Sequence, residues 1–109
     1  MKKENIIKYY ESILKDLNIS KTPLIFKKIN KGQAYITHDN KGKIFNITIS
    51  NECGDVEYAL LHEIAHKICI EKNNNYTHNV AFRKVQDQLI DKYMYSNFTK
   101  ILYNNFCSK

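Results

Sequence analysis

The sequence predicts an α+β domain: a leading helix, a short antiparallel or mixed sheet, and two further helices, the first carrying the run HEIAH. Three observations support this. Apolar residues recur at helical spacing near both ends, they alternate in the middle, and Gly, Pro and Asn clusters separate the runs. At 109 residues the chain has room for one core, so 1–109 reads as a single domain.

Residues 4–18 place Ile6, Ile7, Tyr10, Ile13, Leu14 and Leu17 on one stripe of a 3.6-residue repeat. Asn18 to Pro23 ends that helix, because proline cannot continue it. Leu24–Ile29 and Gln33–Thr37 read as strands separated by Asn30–Lys31–Gly32, and Asp39–Asn40–Lys41–Gly42 is a second turn. In KIFNITIS, Phe45, Ile47 and Ile49 alternate with Asn46, Thr48 and Ser50, which predicts one face on the core and one in solvent. Connections this short predict antiparallel pairing.

Gly54 closes the loop that follows, and Asp55 is placed as an N-cap for a helix from Val56 to about Lys72. Asn73–Asn74–Asn75 ends it. Thr77 is the expected cap of the next helix, with apolar positions Val80, Ala81, Phe82, Val85, Leu89 and Tyr93. A last amphipathic helix is expected over Phe98–Phe106.

Composition narrows the function classes. The N-terminus begins with lysines, but no apolar run follows, so neither a signal peptide nor a membrane span is expected. Cys53, Cys69 and Cys107 are odd in number and form no C-x-x-C pair, which fits neither a disulfide framework nor a thiolate metal site. A soluble, cytoplasmic protein is the expectation. The net charge of +6 comes from scattered lysines and a single arginine, Arg83. That pattern reads as a solvated surface rather than a phosphate-reading one, and it leaves nucleic-acid binding open.

H-E-x-x-H on a helix has a chemical rationale. Residues four apart lie about 40° from each other around the axis, so His62 and His66 present two imidazoles to one point. Glu63 is offset enough to reach a water on the metal without ligating it. Leu60, Leu61, Ile64, Ala65 and Ile68 occupy the opposite arc and can face the core.

A catalytic zinc site needs a third ligand and an open position. Glu71 points away from the two histidines on the same helix, and no Asp or Glu occurs from Lys72 to Gln86. His78, in YTHNVAF, is the best third ligand. His38 precedes a turn and is expected on the surface.

HEIAH, the spacing to YTHNVAF and the chain length resemble the minigluzincins, small soluble peptidase-like domains related to the gluzincin metallopeptidases. The resemblance spans the leading helix, the small sheet, the HExxH helix and the helix after it. It implies a zincin-like fold, Zn2+ bound by His62, His66 and His78, and Glu63 as general base and acid. It also implies latent forms in which a C-terminal segment covers the cleft. Here that segment would be 94–109, folded back or exchanged in a homodimer; alternatively Phe98, Ile101 and Leu102 complete the core. HNVAF also has a likeness to the third-ligand segment of SprT-like DNA-associated proteases.

The expected function is zinc-dependent endopeptidase cleavage of a peptide or protein substrate, extended along the cleft and pairing with KIFNITIS should that strand be the sheet edge. Tyr76, Tyr93 and Tyr95 are candidates for stabilising the oxyanion. The alternatives are a catalytically silent zinc-bound regulatory module, an SprT-like DNA-associated protease, and a helical interaction domain with accidental histidines.

Overall fold

The computed structural model describes residues 3–30 and 32–94. Three helices and a three-stranded mixed sheet form one small α+β domain, in the order α1 (Lys3–Asp16), β1 (Leu24–Lys27), β2 (Ala34–His38), β3 (Ile44–Ser50), α2 (Val56–Asn73), α3 (Val80–Tyr93). Of the segment 94–109 only Met94 is described, packed against the core. The expected helix over 98–106, Tyr95 and Cys107 lie outside the described residues.

Of the stripe its spacing predicts, helix α1 buries Ile6, Tyr10, Ile13 and Leu14, whereas Ile7 is exposed and Leu17 lies half-buried past the helix end. It stops where Asn18 turns left-handed (φ 54°), a conformation asparagine tolerates better than most residues. The Tyr10 hydroxyl then donates to the Thr22 carbonyl at 2.6 Å, tying the helix to the segment that leads into β1.

The strand order is β1-β3-β2, with β2 antiparallel and β1 parallel to β3. The antiparallel expectation therefore holds only for the hairpin β2–β3. Its turn is closed by Asp39, whose carboxylate accepts from the Lys41 and Lys43 amides at 2.8 Å each. Between β1 and β2 the chain has residues 28–33, enough to carry it past β3. Leu24 and Phe26 thereby align with Ile47 and Ile49 on the core face. KIFNITIS is thus the central strand, and β2 is an edge.

Three positions of the alternation also differ, Ser50 among them, which is buried at the strand's end. Thr48 is buried because Ile25 and Tyr35 flank it in register on the outer face. Phe45 is 47% exposed because a bulge opposite Thr37 and His38 takes it out of register.

Helix α2 runs through the middle of the domain, which is why Leu60, Leu61, Ile64, Ala65 and Cys69 are all buried. Asp55 caps its start, accepting from the Tyr58 amide at 3.1 Å. Asn74 ends it in the left-handed region, and the Asn74 and Asn75 amides return to the Ile70 and Cys69 carbonyls.

Lys67 is fully buried and donates to Glu71 at 2.9 Å and to Ser20 at 3.0 Å, latching the α1–β1 segment onto α2. Lys67→Ala is expected to cost about 2–4 kcal/mol through the lost stem and the stranded partners. Lys67→Met keeps the stem and should lose less than half of that in denaturant unfolding. Equal losses would show that the polar latch dominates over the packing.

Among the described residues, no helix is long and apolar enough to cross a membrane.

Candidate metal centre

The site is assembled by α2, the α2–α3 loop and the start of α3. His62 and His66 stand one turn apart on α2, their rings edge-on with centroids 4.8 Å apart. His78 reaches them from the loop. Its Nε2 lies 2.9 Å from Nε2 of His66 and 3.2 Å from Nε2 of His62. The three ligand nitrogens all lie within 4.8 Å of one another and could hold a metal ion.

The donor chemistry fits. Tetrahedral coordination at about 2.0–2.1 Å would set ligand nitrogens roughly 3.3–3.4 Å apart, so small ring movements would seat an ion. Three imidazoles suit a divalent transition metal. Burial lowers the pKa of His62, and the neighbouring His78 lowers it further against the opposing effect of Gln86. Burial, then His62 and His78, bring His66 down to about 4. Both rings are therefore neutral near pH 7, as coordination requires.

The loop NNNYTHN holds His78 by its own hydrogen bonds. Asn75 Oδ1 accepts from the Thr77 amide at 3.1 Å and from the Thr77 hydroxyl at 2.9 Å, and Asn75 Nδ2 donates to Asn79 Oδ1 at 2.8 Å. Asn79 is the N-cap of α3, accepting from the Phe82 amide at 3.0 Å. This corrects the expected cap at Thr77: the Thr77 hydroxyl is engaged upstream, and His78 precedes the helix rather than starting it.

Tyr76 anchors the loop to the β2–β3 hairpin. Its ring packs on His38 with centroids 4.9 Å apart. Its hydroxyl lies where a Cβ on Gly42 would come within 2.9 Å, and the φ of 83° at Gly42 is what favours glycine there.

Phe82 forms the floor. It is 1% exposed, stacks on His66 with centroids 4.3 Å apart, and meets His62 and His78 edge-on at 5.2 and 4.9 Å. Gln86, one turn later, accepts a hydrogen bond from Nδ1 of His62. Tyr58, one turn before His62, stacks on it at 6.1 Å.

None of these three was singled out for the site from sequence. Phe82 reads from the sequence as an apolar helix position, and a glutamine or tyrosine carries no motif. The available signal was spacing: Phe82 and Gln86 are four and eight residues after His78.

Glu63 is 5% exposed, and burial pushes its carboxyl up to about 7 from 4.5. Together with His62 it lines two adjoining cavities. One, about 390 Å³, is bounded by Gln33, Ala34, Gly54, Asp55, Tyr58 and Ala59. The other, about 320 Å³, is bounded by Ala34 to Ile36, His38, His66, Ile70, Tyr76 and His78.

His38 is exposed, as expected, and stands outside the three-histidine group, but it forms part of the cleft wall. Of the tyrosines, Tyr76 lines the cleft. The Tyr93 hydroxyl instead bonds Asp16 on α1. Glu71, set aside as a ligand, is paired with Lys67.

The Glu63 shift gives a testable sign. In the metal-free protein the folded state keeps the Glu63 proton up to about pH 7, whereas the unfolded chain releases it near 4.5. Stability from this group is present below 4.5 and lost as pH rises to about 7. Metal-free Glu63→Gln should therefore be more stable than wild type at pH 8, by about 3 kcal/mol, with the gap closing by pH 4.5. Denaturant midpoints at both pH values measure this, and a pH-independent gap would contradict it.

No family model, curated protein or solved structure matches the chain.

Proposed function

We propose that the protein is a zinc-dependent endopeptidase, with His62, His66 and His78 as zinc ligands and Glu63 as general base and acid. The observation that carries this reading is the convergence of three Nε2 atoms beside a buried carboxyl that faces the same open cleft. Three neutral imidazoles leave a tetrahedral ion one free position, the arrangement of catalytic rather than structural zinc.

Zinc held by His62, His66 and His78 would supply a Lewis acid able to polarise a peptide carbonyl and to acidify water. Glu63 accepts the proton of the attacking water and delivers it to the departing amine. A single carboxyl beside the ligand set can carry both transfers in turn.

The substrate lies along β2 rather than KIFNITIS. Ser50 N donates to Gln33 O at 2.8 Å, so alternation along the ladder turns the polar backbone groups of Ala34 and Ile36 away from β3. Ala34 borders both cavities and Ile36 the second. An extended peptide can add to this edge and pass Glu63 with room on either side, which favours cleavage within a chain over trimming at its end.

The test is hydrolysis of internally quenched peptides by zinc-loaded protein. Activity should vanish on chelation and return with one equivalent of zinc. Zinc-bound protein with no hydrolysis of any peptide in a diverse library would contradict the proposal.

A further inference from the structure

We infer that Gln86 is a positioning residue for the metal centre, its amide oxygen keeping a proton on Nδ1 of His62 so that Nε2 is left bare toward the ion. The inference rests on the three-histidine reading and does not require hydrolysis.

An amide oxygen can only accept, so the imidazole nitrogen facing it must be the protonated one. A neutral imidazole carries a single N–H, which leaves Nε2 of His62, 3.2 Å from Nε2 of His78, as the lone pair. Coordination needs that tautomer. With the amide turned over, its NH2 would face Nδ1, the ring proton would move to Nε2, and the nitrogen would be closed to a metal. Gln86 therefore selects between a binding and a non-binding form of His62 without placing a charge in the site.

The arrangement makes α3 more than the helix after the third ligand. Phe82 fixes the plane of the His62 ring from one side. Gln86, one turn later and half-buried, fixes its tautomer. The metal-free triad follows the same logic. Nε2 of His78 lies 2.9 Å from that of His66 and 3.2 Å from that of His62, so a bare Nε2 on His62 can accept from an N–H on His78.

Gln86→Leu keeps the side-chain bulk and removes the acceptor, whereas Gln86→Glu restores an acceptor that cannot turn over into a donor. In metal-free wild type, 15N imidazole NMR should find His62 in the Nδ1–H form. Gln86→Leu should lose that preference and bind zinc about 10–100-fold more weakly in competition with a chromophoric chelator. Gln86→Glu should recover both the tautomer and wild-type or tighter affinity. A Leu variant that keeps the Nδ1–H form and wild-type affinity would overturn the inference, as would equal losses in the Leu and Glu variants. Because the tautomer is read without metal, failure of wild type to bind zinc would count against the metal site and leave the role of Gln86 to be decided by the NMR alone.

Discussion

Glu63→Gln is expected to keep the metal affinity of wild type and to lower peptide hydrolysis by about 10²–10⁴-fold, the range a positioned general base contributes. Both halves follow from where the side chain sits. Glu63 is outside the three-nitrogen group, so an isosteric amide takes nothing from the ligand set. It is buried beside the two α2 histidines, where an amide in its place cannot take up a proton. Steady-state kinetics should show the loss mainly in kcat, since Gln still fills the space beside the substrate. A variant with at least a tenth of wild-type activity would remove Glu63 from the mechanism.

Phe82→Ala is the second large effect, at about 3–5 kcal/mol of stability in the metal-free protein. The ring is buried between α2 and α3 and touches all three imidazoles, so its loss opens a cavity directly beneath the site. Metal affinity should fall as well, because His66 loses the surface on which it stacks. Denaturant unfolding with chelator present, followed by metal titration of the variant, reads the two effects separately. A stability loss under about 1 kcal/mol would mean that the rings are held by something other than this floor.

Much of this centre was legible from local rules. HEIAH needs only helical geometry to bring His62 and His66 together, and the absence of acids before Asp87 left His78 as the third member. Asp55 as a cap and the α1 stripe are likewise local. Most of the failures are non-local. The parallel placement of β1 depends on which side of β3 has apolar surface to cover, and a short loop does not encode that. The bulge at Phe45 depends on the partner strand. Thr77 and Asn79 are both good caps, and the choice between them was made by Asn75, which engages the Thr77 hydroxyl. Phe82 and Gln86 looked like an ordinary helix face until the fold set that face against α2. Lys67 is held by Glu71 and by Ser20, and the loop that brings Ser20 over α2 is not readable from the α2 sequence.

The most direct measurement is metal titration of wild type and His78→Ala, with X-ray absorption on the zinc-loaded wild type. The expected outcome is one zinc per chain with three imidazole nitrogens at about 2.0 Å, and at least a hundredfold weaker binding in the variant. Zinc bound equally well by His78→Ala, or not bound by wild type at all, would contradict a centre built on all three rings.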